Sequence, residues 1–254
     1  MDTNKNSYTI IYAVIMVIVV AVVLALAASL LKERQQRNVE IERKQMILKS
    51  VKLATEASAA ADKDSYIEQE YAKYITDSSI VRDGAELTLY ICNGDNGEKF
   101  YVIPVLGAGL WGPVWGYVSL KDDYNTIYGA VFDHKSETPG LGAEISTDAF
   151  ASQFGGKSIF DSNGNYVSIK VVKGGAKAGS QHEVDAISGG TITSQAVEEM
   201  LFKNINEYLD FFSSQAKTRA EAIKAMSEAQ AAADSLSVTN QMEKQLVLWT
   251  KRYL

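Results

Sequence analysis

The chain has 254 residues, a formal net charge of −6, 46% apolar residues, one cysteine (Cys92) and two histidines (His134 and His182). An acidic balance with no basic stripe excludes nucleic acid as a partner, because phosphates need lysines and arginines opposite them. One cysteine excludes an internal disulfide framework. With only two histidines beside it no cysteine- or histidine-based metal site is expected, so redox chemistry would have to come from an organic cofactor.

From Ser7 to Leu31 the chain reads SYTIIYAVIMVIVVAVVLALAASLL, without a charge. About 20 apolar residues rising about 1.5 Å each cross a bilayer core of about 30 Å. Ala25-Leu26-Ala27 resembles a signal-peptide cleavage site, but the apolar part of a signal peptide runs only about 7–15 residues. The stretch therefore predicts a retained anchor over 1–31, in contact with membrane lipid. Lys5 precedes the span, whereas Lys32, Arg34 and Arg37 follow it. That bias alone would put the body of the protein in the cytoplasm.

Residues 32–84 read as a helical stalk and connecting segment. Val39, Ile41, Met46, Ile47, Val51 and Leu53 fall roughly on one stripe with charges elsewhere. Such a stripe suits packing on the chain's own domain or on a neighbouring protein of a complex equally well. From about residue 85 the pattern turns to strands: ELTLYIC (86–92), KFYVIPVLG (99–107), VWGYVSL (114–120) and TIYGAVFD (126–133), with NGDNGE and KDDYN as turns. This predicts an antiparallel meander. A short helix over 147–154, a strand over 166–172 and a helix over 192–213 complete a domain spanning 85–213, so the fold class is α+β. Residues 214–254 lack glycine and proline and are rich in Ala, Glu, Lys and Gln, which predicts a C-terminal helical extension. Leu246, Leu248, Trp249, Tyr253 and Leu254 form its apolar end.

Three glycine-rich stretches carry the chemistry: 106–116 (LGAGLWGPVWG), 136–144 (SETPGLGAE) and 185–194 (DAISGGTITS). GAGLWG is no dinucleotide fingerprint, because a strand and not a helix follows it. The third stretch is different. Asp185 and Ser188 precede Gly189 and Gly190, and then Thr191 or Thr193 enters a helix. Glycines let backbone approach a ligand, and a helix N-terminus offers unpaired N–H groups and the positive end of a dipole. That suits a phosphate, either bound or joined covalently to a threonine; a tight turn with a helix cap is the plainer alternative.

Asp-x-x-Ser-Gly-x-Thr-x-Thr-Ser resembles the flavinylation motif of the FMN-binding domain family. GAGLWGPVWGYVSL (107–120) and DHKSETPGLGAEI (133–145), with 172–194 and the single span, are similar in order and spacing to the C subunits of sodium-translocating NADH:quinone reductases. The resemblance covers roughly 7–213 and departs at Gly190, where alanine is usual. It implies FMN held covalently by a phosphoester on Thr191, attached by a flavin transferase, with Thr193 as the second candidate acceptor. It also implies that Leu110, Trp111 and Pro113 line the flavin's apolar face. Glu137 and Thr138 would make polar contacts to its edge, and Gly140, Leu141 and Gly142 would bring a loop close over it. The implied role is an electron relay without catalytic side chains or a metal, in a complex that exports sodium ions, with the other membrane subunits as partners. The resemblance places the domain on the periplasmic side of the cell inner membrane, against the local charge bias. The G-type flavoprotein of a ferredoxin:NAD electron-transport complex is the alternative relative. No carboxylate lies in the apolar span, so the chain offers no sodium site of its own.

Overall fold

The structure, a computed structural model, describes residues 6–82, 85–218 and 221. It begins with one unbroken helix, α1 (Asn6–Ser50). No glycine or proline interrupts this run, so nothing breaks its hydrogen-bond ladder. Its first part exposes Ile10, Val17, Leu24, Leu30 and their neighbours. One window there reaches a mean hydropathy of 3.3, and among the described residues this is the helix long and apolar enough to cross a membrane. That fits a single-pass membrane protein.

Beyond Leu31 the helix becomes charged, and from Ile41 onward one face is buried: Ile41, Met46, Ile47 and Leu48 enter the core, followed just past the helix by Val51. The stalk stripe thus packs on the chain's own domain, although Val39 remains exposed. Between the end of the span and the first buried turn the helix rises about 15 Å. Arg43 donates to both carboxylate oxygens of Glu40 and to the Tyr90 hydroxyl, which ties the stalk to the sheet. The hydrogen bond from Arg43 holds the Glu40 carboxyl below its ordinary range.

After α1 comes α2 (Lys63–Tyr74), capped by Asp62, whose side chain accepts from the Ser65 N–H. It buries Ile67, Tyr71 and Tyr74 and runs directly into the sheet. The strands are β1 (Ile75–Arg82), β2 (Ala85–Asn93), β3 (Lys99–Ala108), β4 (Pro113–Lys121) and β5 (Ile127–His134). They pair in chain order, all antiparallel. The two predicted turns are present. Gly94 N–H bonds Glu98 O across the first; in the second the Asp123 carboxylate accepts from the N–H groups of Asn125 and Thr126. β1 is an addition: it lies ahead of the residues where the sequence pattern turns to strand.

Both faces of the sheet are covered. Tyr90, Cys92, Phe100, Val102 and Tyr117 face α1 and α2. Leu89, Ile103, Val105, Val114, Val118 and Leu120 face the other way, toward α4 (Thr191–Asn206). Alternation of side chains along each strand sends neighbours to opposite layers. Burial pushes the Cys92 thiol up to about 11, so it serves as a core side chain.

Between β5 and α4 the chain makes a 3-10 turn (Gly142–Ser146), a short helix α3 (Asp148–Ala151) and another 3-10 turn (Ser152–Phe154), matching the helix expected over 147–154. Two expectations need correction. The strand expected over 166–172 narrows to β6 (Lys170–Val172), which pairs parallel with β7 (Glu183–Asp185). Ser168, at φ 56°, breaks the extended run before it. The helix expected over 192–213 is interrupted at 207–208 and resumes over 209–218. There Tyr208 and Phe212 are buried, with Phe212 stacked on Tyr124. The apolar end of the extension, Leu246 to Leu254, lies outside the described residues.

Candidate functional site

The site grows from the start of α4. Gly190 is the N-cap residue and makes no side-chain capping bond. The first backbone bond of the helix runs from Ser194 N–H to Gly190 O at 2.9 Å. Among the described residues no side chain caps the first-turn N–H groups, which lie at the positive end of the helix dipole. Thr191 is the first helical residue and is half-buried. The preceding loop is held by the Ile187 N–H, which donates to Ser194 Oγ at 3.0 Å.

The glycines here answer to close approach. Gly189 sits at φ +75°, and a Cβ there would meet Leu141 Cδ2 at 2.5 Å. At Gly190 a Cβ would lie 3.0 Å from Ile187 Cγ2 and 3.3 Å from Gly142 N, which is tight but not closed to alanine. The loop crossing these glycines is the second motif. It leaves β5 at His134, whose Nδ1 accepts from the Glu137 N–H at 3.2 Å. Thr138 O then accepts from the N–H groups of Leu141 and Ala143.

Glu137 joins all three motifs. The residue is 4% exposed, and its carboxylate accepts from Thr193 Oγ1 at 2.7 Å and from the Trp111 N–H at 2.8 Å. A Cβ on Gly142 would fall 2.4 Å from Thr193 Oγ1 and 2.5 Å from Glu137 Oε2. A Cβ on Gly109 would fall 2.6 Å from Glu137 Oε1. Ser136 Oγ adds a bond to Trp111 O at 3.1 Å. The three glycine-rich stretches, far apart in the chain, are therefore one assembly around a buried carboxylate.

The sequence-derived residues separate into three groups and one outlier. Gly189, Gly190, Thr191, Leu141 and Gly142 meet at the helix N-terminus. Leu110, Trp111, Thr138, Gly140 and Ser188 belong to the same loops, and Pro113 opens β4 beside them; of these Trp111 is 65% exposed and so is no core side chain. Thr193 and Glu137 are buried and occupied with each other. Asp185 stands apart: its carboxylate accepts from the Ala176 N–H at 2.7 Å and so clips the glycine-rich loop that follows β6. Sequence reasoning missed the bond between Glu137 and Thr193. No signal in the linear sequence marks it, because Gly109 and Gly142 close around Glu137 only in the fold.

An uncapped helix N-terminus, a glycine cradle and exposed Leu110, Trp111, Leu141 and Ile192 suit a ligand with an anionic end and an apolar ring system. A cavity of about 510 Å³ between the end of α1 and β5, lined by Lys49, Lys52 and Tyr128 among others, includes none of the motif residues.

Comparison with known proteins points the same way. Residues 109–206 match the model of the FMN-binding domain family. The C subunit of the Na(+)-translocating NADH-quinone reductase of Vibrio vulnificus is 42% identical over 123 residues, 48% of this chain and 48% of that protein. Its counterpart in Pseudomonas aeruginosa is 34% identical over 127 residues, with similar coverage. These alignments thus span about half the length of the curated relatives. The crystal structure of the counterpart from Parabacteroides distasonis is 37% identical with a TM-score of 0.62, covering 72% of this chain and 96% of that one. Shewanella oneidensis NqrC, 24% identical with a TM-score of 0.59, shares the fold.

Proposed function

Because the chain belongs to the family of C subunits of Na(+)-translocating NADH-quinone reductases, we propose that it is the electron-relay member of such a complex and carries FMN covalently through a phosphoester on Thr191. The observation that carries this reading is the unequal state of the two threonines at the start of α4. Thr193 is 2% exposed and its hydroxyl is given to Glu137, whereas Thr191 opens the helix at an uncapped N-terminus.

In this reading Thr191 holds the phosphate, and the N–H groups of the first turn neutralise its charge. Gly189 and Gly190 let Leu141 and Ile187 pack close against the loop beside it. Leu110, Trp111, Pro113 and Leu141 supply apolar walls, and Ser188, Thr138 and Gly140 border the site. Glu137, being buried, acts behind the loops rather than at the cofactor's edge. Bound there, FMN supplies the electron transfer; the protein orients it and sets its surroundings. The continuous α1 would carry this site on a fixed mast above the cell inner membrane, on the periplasmic side. The partners are the other membrane subunits, bilayer lipid and, during maturation, a flavin transferase.

The test is co-expression with a flavin transferase, followed by in-gel fluorescence of the denatured band and the mass of the 184–203 peptide. The expected result is a fluorescent band with an FMN-sized adduct, absent in Thr191→Ala. A colourless wild-type band under those conditions refutes the reading.

A further inference from the structure

We propose that Glu137 is a positioning residue for the modification of Thr191. By holding Thr193 it sets the rotation of the first turn of α4, and with it the direction in which the Thr191 hydroxyl is presented. This inference rests on the reading that Thr191 carries the flavin phosphate.

Thr191 and Thr193 stand roughly 200° apart around a helix of 3.6 residues per turn, so they face nearly opposite ways. Pinning one inward points the other outward. Among the described residues, two side-chain bonds restrain this turn. One, from the Ile187 N–H to Ser194 Oγ, ties the helix only to its own leading loop. The other, from Thr193 Oγ1 to Glu137 Oε2 at 2.7 Å, spans 56 residues and fixes the turn to the end of β5. Glu137 is itself fixed, by its own N–H to His134 Nδ1 and by the Trp111 N–H on its second oxygen. The space around the Thr193–Glu137 bond is already filled, since Gly142 has no room for a Cβ beside either partner. Threonine in a helix divides between two rotamers, and the buried carboxylate selects one of them. Among the described residues Glu137 shows no salt bridge, so it is a buried carboxylate paired to hydrogen-bond donors alone. That is a costly way to stabilise a loop and a direct way to aim one.

The step served is formation of a Thr191 Oγ–P bond. A phosphomonoester is a poor donor, so the flavin has to arrive as a dinucleotide pyrophosphate. The Oγ–P bond forms as a P–O bond of the pyrophosphate breaks, the hydroxyl proton passes to a base of the transferring enzyme, and a nucleoside monophosphate leaves. Nothing is oxidised or reduced.

The experiment uses the full chain in detergent with a flavin transferase and flavin adenine dinucleotide, and follows the adduct on the 184–203 peptide with time. Glu137→Gln and Thr193→Val should each slow attachment about 10- to 100-fold, the scale of a misplaced reacting group. The double variant should be no slower than either single one, and Thr193→Ser, which keeps the hydroxyl, should attach flavin at close to the wild-type rate. A wild-type rate in Thr193→Val overturns the proposal. So does a slow Glu137→Gln beside a fast Thr193→Val, which would mean that Glu137 acts through Trp111, or a double variant in which the two defects multiply. Melting curves identify a misfolded Glu137→Gln, and the Thr193→Val and Thr193→Ser pair then decides alone. Failure of the underlying reading is separate: the wild-type chain would then never acquire the adduct.

Discussion

Two helix ends meet this domain, and they are finished in opposite ways. The C-terminus of α1 is closed. Ser50 is fully buried, its carbonyl accepts from Ser119 Oγ at 2.6 Å, and the same hydroxyl accepts from the Gly129 N–H at 3.0 Å. The N-terminus of α4 is open, with a glycine cap, no capping side chain and exposed apolar neighbours. Every helix end has backbone groups to satisfy. Where the protein satisfies them internally, the end is structural and holds the mast to the sheet. At α4 it leaves them without a capping side chain, and that is the end proposed above to hold the ligand.

The largest effect expected at the closed end is from Gly129→Ala. A Cβ there would lie 2.4 Å from Ser50 O, so backbone on both sides would have to move. A loss of about 3 kcal/mol is expected, at the upper end of overpacking costs, measured by chemical denaturation of the detergent-solubilised chain. Stability equal to wild type would show that α1 is not seated against β5 as described. Ser119→Ala comes next. It leaves Ser50 O and Gly129 N without this buried partner, for about 2 kcal/mol in the same assay. The expected contrast at the open end is Gly140→Ala. No atom of the described residues lies within 4 Å of the added Cβ, so only its φ of +75° opposes the change. The cost should be about 1 kcal/mol.

The two regions also differ in how well the sequence displays them. The stalk stripe and the strands 86–92, 99–107, 114–120 and 126–133 are legible because burial selects β-branched and aromatic residues at a regular period. β1 is not, since Thr76, Asp77, Ser78 and Ser79 belong to an edge strand with little to bury. Ser168 looks like part of a strand because a positive φ leaves no mark when the residue is not glycine. The break at 207–208 has the same character: Asn206-Glu207-Tyr208 carries neither proline nor glycine, and the buried Tyr208 is what the turn accommodates. At the site, the glycines and Thr191 stand out by motif. The inward turn of Glu137 does not, because a glutamate in a polar loop looks solvated until Gly109, Gly142 and Thr193 are placed around it.

The smallest expected change in stability is the sharpest test of the open end. Trp111 is the largest side chain in the site's loops, and in a core its truncation would cost several kcal/mol. Here it is 65% exposed, and the contacts that hold its loop run through its backbone: its N–H donates to Glu137 and its carbonyl accepts from Ser136. Trp111→Ala keeps both bonds. The variant without flavin should therefore unfold within about 0.5 kcal/mol of wild type, as surface substitutions do. With flavin attached, the same substitution removes a ring expected against the cofactor, and the visible circular dichroism and fluorescence yield of the folded, flavin-bearing chain should change while the adduct stays on Thr191. A large loss of stability would place Trp111 in the packing of the domain. An unchanged flavin spectrum would remove it from the cofactor's wall, and with it the argument that this helix end is left open for a ring as well as a phosphate.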